Sequence, residues 1–428
     1  MRQRTSRRNF LRQSAVAGVG FWTLGSSRPA HSRWASEKLN IAVIGPGGRG
    51  AGNLAGVASE NIVALCEVDM KRGGDAFQQY PQARSYRDFR RMLDKEEKNI
   101  DAVVVSTPDH THAPAAALAM RMGKHCYCEK PLTHTVYEAR VLADLARQHK
   151  LATQMGTQIH AGENYRRVVE IIQAGTIGQV DEVHVWVGKG WGGGERPKET
   201  PPVPDTLDWD LWLGPAPQRP YHPCYVPFEW RRWWDFGNGT LGDMACHYMD
   251  LPFWALGLRY PSTCEAEGPP PHPETAPLGL VVRYEFPRSG HPPVRLTWYD
   301  GNRIPGELYG RKMPGAGVYF VGTQGHLFAD YGRYQLFPED QFAGFRPPEP
   351  TIPRSVGHHR EWIEACKSGS PTTCNFDYSG ALTEAVLLGV VAYRCGQKLR
   401  WDPQRLRAID CPAADEFLRR EYRNGWTL

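Results

Sequence analysis

The chain has no apolar run long enough to cross a bilayer as a helix, which takes about 20 residues. The closest approach, Ala15 to Leu24, is too short. No cysteine pair has zinc-ribbon spacing. Although there are ten cysteines, neither a metal cluster nor a dense disulfide framework is expected. Internal repeats and low-complexity tails are lacking too, which excludes solenoid architectures. There is also no surplus of positive charge to hold a nucleic acid. The formal net charge of +5 depends on residues 1–35, whose seven arginines are opposed by no acid, and subtracting them leaves about −2.

What is present begins with that basic end. Arg2, Arg4, Arg7, Arg8 and Arg12 precede an uncharged stretch, and the first acid is Glu37. An ordinary amphipathic helix is one reading. A positive start, a short apolar core and a small-residue end describe a signal peptide. The order Ser6-Arg7-Arg8-Asn9-Phe10-Leu11-Arg12 resembles the twin-arginine signal, which sends folded proteins across a membrane. Residues 1–35 are therefore expected to be a signal cleaved after Ala30 or Ala35. The twin-arginine export machinery would be a partner, and the mature protein would be periplasmic or extracytoplasmic with no stable membrane anchor.

The remaining length suggests two domains. Leu39 to Ile44 reads as a buried parallel strand, followed by Gly45-Pro-Gly47-Gly-Arg-Gly50 and a small-residue helix. In that setting Gly45 makes the turn, Gly47 lets backbone approach a pyrophosphate, and Gly50 lets helix pack on strand. A second strand ends at Glu67 and Asp69, 22 and 24 residues beyond Gly45, where an acid would meet the adenosine ribose. That favours NAD, while Lys71 and Arg72 leave NADP open. A third strand, Asp101 to Ser106, runs into Thr107-Pro108-Asp109-His110-Thr111-His112 at the expected cofactor edge. The two histidines read as surface or hydrogen-bonding groups, with no metal assigned. Cys126 and Cys128 point to one face of a further strand, which leads to Glu129-Lys130-Pro131. Pro131 is a candidate for a cis bond.

These motifs, together with "EKPLTHTVYEARVLADLA", "GTQIHAGENYRRVVEIIQAGTIGQV" and "GNGTLGDMACHYMD", resemble the Gfo/Idh/MocA oxidoreductase family over nearly the whole chain after the signal. The resemblance implies an α/β fold in two parts. A Rossmann domain with a doubly wound parallel sheet is expected over 36–156. An α/β domain with a large, mostly antiparallel open sheet is expected over 157–428. Alternating stretches such as "EVHVWVGKG" and "VRLTWYD" support the second sheet independently. A homo-oligomer, dimer or tetramer, is implied as well.

Asp243 and His247 stand at i and i+4 of a helix, on one face. Asp250 falls three further and is placed near that face. By the resemblance Lys130, Asp243 and His247 are catalytic: His247 as an acid/base near neutral pKa, Lys130 as the cation on the substrate oxygen, Asp243 as an orienting group. Gly45, Gly47, Gly50, Glu67, Asp69, Thr107, Pro108, His112, Glu129 and Lys130 are expected to hold the cofactor. Trp191, His160, Tyr165, Trp230 and Asp250 are the candidates for substrate contact. Asp243, His247 and Asp250 have the ligand types of a metal triad, but no metal is assigned. Three functions follow: an exported oxidoreductase acting on a sugar or polyol hydroxyl with a retained NAD, a redox-neutral NAD-dependent glycosidase, or a non-catalytic sugar-binding protein. "GDMACHYMD" departs from the His-rich helix of the family's N-acetylgalactosaminidases.

Overall fold

The computed structural model describes residues 37–409 and 411–428. The expected signal and its cleavage site lie outside the described residues. Six parallel strands form the first sheet: β1 (Asn40–Ile44), β2 (Asn61–Cys66), β3 (Arg84–Tyr86), β4 (Ala102–Val105), β5 (His125–Cys128) and β6 (Thr153–Met155). Their spatial order is β3-β2-β1-β4-β5-β6. The order reverses between β1 and β4, so a crevice opens beyond the carboxyl ends of those two strands. The strands read as apolar runs because both faces are covered: β4, Ala102-Val-Val-Val105, is buried throughout. On β5, Cys126 and Cys128 enter one core cluster while Tyr127 enters the cluster on the other face.

Helix α1 (Arg49–Gly56) follows the glycine turn, and α2 (Asp109–Arg121) follows β4. Helix α3 (Val136–Gln148) starts at a capping box in which Thr135 and Glu138 satisfy each other's backbone N–H groups. The second sheet has nine strands in the order β15-β14-β13-β7-β10-β9-β8-β16-β17. They are β7 (Val180–Val187), β8 (Thr263–Glu267), β9 (Val281–Arg288), β10 (His291–Asp300), β13 (Ala316–Gly322), β14 (Gly325–Ala329), β15 (Tyr334–Phe337), β16 (Leu399–Asp402) and β17 (Arg407–Ile409). A small hairpin, β11 (Glu307–Leu308) with β12 (Arg311–Lys312), stands apart. Only the β7–β10 pair is parallel, and the other pairs in this sheet are antiparallel. Alternation sorts its faces. Val183, Val185, Leu296 and Trp298 point into the main core, whereas Trp186 and Tyr319 join an aromatic cluster on the opposite side.

Helices α4 (Gly239–Tyr248), α5 (Asp250–Leu256), α6 (His358–Ser368) and α7 (Phe376–Cys395) complete the framework. Helix α7 is long and buried along most of its length, yet no helix among the described residues is long and apolar enough to cross a membrane. Helix α6 places Trp362 and Ile363 in the core cluster of the first sheet, beside Val43 and Tyr127. The late chain thus returns to finish the first domain's packing, which a boundary at 156–157 does not convey.

Candidate active site

The turn after β1 shows why glycine is required there. Gly45 has φ +79°, and a Cβ on it would lie 2.8 Å from the Ser106 carbonyl oxygen. A Cβ on Gly50 would lie 1.7 Å from the Gly45 carbonyl oxygen. Helix and strand therefore meet backbone to backbone. Helix α1 has no side-chain cap at its N-terminus; Gly50 N–H donates to the Gly47 carbonyl at 3.0 Å and Ala51 N–H to the Gly48 carbonyl at 3.2 Å, so the turn itself supplies the first bonds of the helix. At Gly47 a Cβ would sit 2.6 Å from Arg72 Cγ, so that side of the turn is covered by Arg72 in this conformation.

A cavity of about 520 Å³ extends from this turn across the mouth of the first sheet to helix α4. Gly45, Gly47, Glu67, Asp69, Thr107, Pro108, Glu129, Lys130, Trp191, Trp230, Asp243 and His247 all line it. Glu67 ends β2 nearly buried, and burial is the main cause that lifts its pKa to about 6. Glu129 accepts from Arg49 Nε at 3.1 Å, Asn53 Nδ2 at 2.9 Å and Gln158 Nε2 at 3.0 Å. Burial opposes its charge, but Lys130 and Arg49 outweigh that and hold its pKa below the usual range. Glu129 therefore clamps helix α1 to the end of β5.

The Lys130–Pro131 bond is cis. Lys130 Nζ donates to Asp243 Oδ1 at 2.7 Å and to the Asp243 carbonyl at 2.9 Å. Burial alone would lower its pKa, yet Asp243 and Glu129 raise it, so the amine is an ammonium. Asp243 Oδ1 also accepts from Arg231 Nε at 2.9 Å. Its burial favours the neutral acid, but Lys130 and Arg231 reverse this and keep it a carboxylate. His247, one turn along, faces the same cavity half-buried. Its pKa is pushed down to about 3, by burial first and the Lys130 charge second. The expectation of a near-neutral imidazole is corrected: burial and the Lys130 charge keep the His247 ring uncharged at neutral pH.

Five expected site residues do not reach the cavity lining. His112 lies in the first turn of α2 and is buried, with Nδ1 2.8 Å from the Pro131 carbonyl and Nε2 2.7 Å from that of Thr107. It ties together the loops that follow β4 and β5. Asp250 is expected near the Asp243–His247 face, but it opens α5 and does not line the cavity. Its carboxylate is 2.9 Å from the buried His160 Nδ1 and accepts from the hydroxyl of the half-buried Tyr378 at 2.7 Å. His160 also stacks on Trp254, so neither residue is exposed to a substrate. The weighed metal triad therefore does not converge. Tyr165 donates to the His247 carbonyl at 3.2 Å and supports that residue from behind. Gly50 is likewise beneath the lining rather than in it.

The lining also holds Arg231, Arg49 and Asp109, which the sequence does not single out. Arg231 donates to the same Asp243 oxygen as Lys130 and stacks on Phe228 and Trp230, 4.2 and 4.3 Å from the ring centroids. Arg49 reaches Glu129 from the glycine turn. Asp109 opens α2, is nearly buried, and has its pKa raised to about 8, chiefly by burial, with Lys130 pulling it down and Asp243 pushing it up. Its place directly after β4, at the sheet's carboxyl edge, was the available signal. Arg231 carried no such signal, because its partner is brought in by the fold.

Residues 39–157 match the oxidoreductase-family NAD-binding Rossmann fold, and residues 166–428 match that family's C-terminal α/β domain. The chain belongs to the Gfo/Idh/MocA oxidoreductase family. The glycine cradle and Glu67 fit the NAD that its first domain binds. Inositol 2-dehydrogenase of Salmonella typhimurium is 28% identical over 152 residues, covering 34% of this chain and 45% of that protein. A glycosyl hydrolase family 109 protein of Saccharopolyspora erythraea is 31% identical over 203 residues, covering 41% and 44%. The chain thus spans less than half the length of either relative. Among solved structures, GenD2 from gentamicin A biosynthesis in complex with NAD superposes with TM-score 0.60 at 21% identity, over 90% of this chain and 100% of that one. At that identity the likeness concerns the fold.

Proposed function

We propose that this protein is an NAD-dependent oxidoreductase acting on a secondary hydroxyl of a sugar, polyol or glycoside, exported through the twin-arginine route with its cofactor retained. The observation that carries the reading is the convergence of Lys130, Asp243 and His247 on the cavity that begins at the glycine turn. When bound, NAD supplies the hydride acceptor. Neutral His247 takes the hydroxyl proton, and the Lys130 ammonium stabilises the charge left on oxygen. Asp243 aims Lys130, and Arg231 keeps Asp243 ionised. Trp191 and Trp230 offer apolar faces to a sugar ring. Glu67 beside the ribose position supports NAD over NADP.

The family 109 relative favours a second reading on the same residues, a redox-neutral glycosidase. There the substrate ketone acidifies its neighbouring C–H, a glycosidic group leaves, water adds, and the ketone is reduced again. A homo-oligomer, dimer or tetramer, belongs to the proposal by the family resemblance and is tested by light scattering.

The deciding experiment releases the nucleotide from purified protein, identifies it, and screens polyols and glycosides for its reduction. A simple oxidoreductase leaves reduced nucleotide until an acceptor arrives. A glycosidase accumulates none, yet exchanges solvent deuterium into the substrate. Bound sugar with neither signal would mean a binding protein and would refute the catalytic reading.

A further inference from the structure

A second cavity, of about 480 Å³, shares no lining residue with the first. It lies between the start of α3, the last turns of α7 and the chain's C-terminal segment. Its size falls in the range of small-molecule sites, about 300–1,000 Å³. Leu387, Val390 and Val391 from α7 make an apolar wall. The opposite side carries Arg394, Arg419 and Arg420 together with Asp235, Glu416 and Glu421.

His134 lines this space and is 8% exposed. Its backbone is bonded at both ends, N–H to Glu138 and C=O to Asn238. Neither ring nitrogen has a hydrogen-bond partner among the described residues. Arg420 donates through Nε to Glu138 and through Nη2 to the His110 carbonyl, while its buried Nη1 is left without a partner. Arg394 packs its guanidinium between Phe417 and Trp234, 4.1 and 5.2 Å from the ring centroids. A guanidinium held over aromatic rings pairs with a carboxylate through its N–H edge, in a fork.

The acids nearby are partly engaged with this cluster: Glu138 pairs with Arg420 at 3.0 Å and the charges of Glu416 and Asp235 reach Arg394, but none meets Arg420 Nη1 or the His134 ring. Asp235 is bonded to Arg219, Glu138 is shared by Arg420 and Tyr422, and Glu416 and Glu421 are exposed at the rim. The His134 pKa is driven down by burial and then by the charges of Arg420, His110 and Arg394, as expected where positive potential collects. Unpaired buried donors of this kind cost free energy unless an acceptor meets them.

We propose that this cavity is a binding site for a small organic carboxylate with an apolar or aromatic body. The carboxylate meets the Arg394 edge, Arg420 Nη1 and His134, and the body lies against the α7 wall.

The test is 19F NMR titration of the full-length protein with 4-fluorobenzoate, repeated with 4-fluorobenzamide and with inorganic phosphate as competitor. The benzoate should bind saturably with Kd below about 1 mM, and the uncharged amide at least about tenfold more weakly. Arg394→Met should weaken the benzoate about tenfold or more with its thermal melt retained, and Arg394→Lys should fall between, because it keeps the charge without the fork. His134→Leu provides a second variant if Arg394→Met does not fold, and should weaken binding too. Lys130→Met should leave benzoate binding as in wild type. No saturable binding up to about 10 mM would overturn the proposal. So would equal affinity for the amide, displacement by phosphate at equal concentration, or loss of binding in Lys130→Met, which would place the benzoate in the first cavity.

Discussion

Replacing Lys130 by Met removes a charge while keeping most of the side-chain volume, and its consequences can be worked from Asp243. That carboxylate accepts from Lys130 Nζ at 2.7 Å and from Arg231 Nε at 2.9 Å, with the two ion-pair side chains 12% and 10% exposed. Breaking a buried pair outright costs about 3–5 kcal/mol. Here Arg231 remains, so the loss is that of one charged hydrogen bond, about 1.5–3 kcal/mol. Stability should fall by that amount in denaturant titration, and nucleotide content should be kept, because the glycine turn is untouched. The substrate oxygen loses its cation, and kcat should drop about 10²–10³-fold. A further readout follows from His247, whose pKa is held down by burial and then by Lys130. Without the ammonium it must rise, so the acid limb of kcat/KM against pH should move to higher pH. A variant with wild-type kcat, or one whose acid limb stays in place, would refute the roles assigned to both residues.

Gly50→Ala puts a Cβ where the Gly45 carbonyl stands, so helix α1 must move off β1. Purified variant protein should carry no nucleotide while the second domain still melts cooperatively; full nucleotide content would place the cofactor elsewhere. Asp109 is a different kind of test. Its pKa of about 8 lies above the unfolded value, so the stability it contributes is complete below about pH 4 and is lost as pH rises through 8. Asp109→Asn removes that loss, and its stability relative to wild type should grow by about 3 kcal/mol between pH 5 and 8. A constant difference in urea titrations across that range would show Asp109 ionised throughout. Arg7→Lys with Arg8→Lys should hold a folded, unprocessed precursor in the cytosol of the native host, as read by fractionation and mass. Normal export of that double variant would remove the twin-arginine proposal.

Local pattern was enough wherever neighbours in sequence are also neighbours in space. The turn Gly45 to Gly50 is legible because backbone contact between strand and helix tolerates no Cβ, and that requirement is written in glycine. The strands of the first sheet are legible because burial on both faces leaves continuous apolar runs. Those of the second sheet show in alternation, because its two faces meet different surroundings. Asp243 and His247 were placed correctly on one face because helical spacing alone decides that. The same rule failed three residues later: Asp250 meets His160 and Tyr378, partners 90 and 128 residues away in the chain that nothing local announces. His112, His160 and Tyr165 have the residue types of a polar site, but packing turned them inward as ties between loops and helices. Arg231 and Asp109 gained their place only through tertiary contact, one by reaching Asp243 and the other by burial beneath Lys130. The charge states belong to the structure alone. A side chain's type sets its ordinary pKa, but the pull of Lys130 on His247 and of Asp243 on Lys130 depends on distance and desolvation, which arise only when segments about 110 residues apart are packed together.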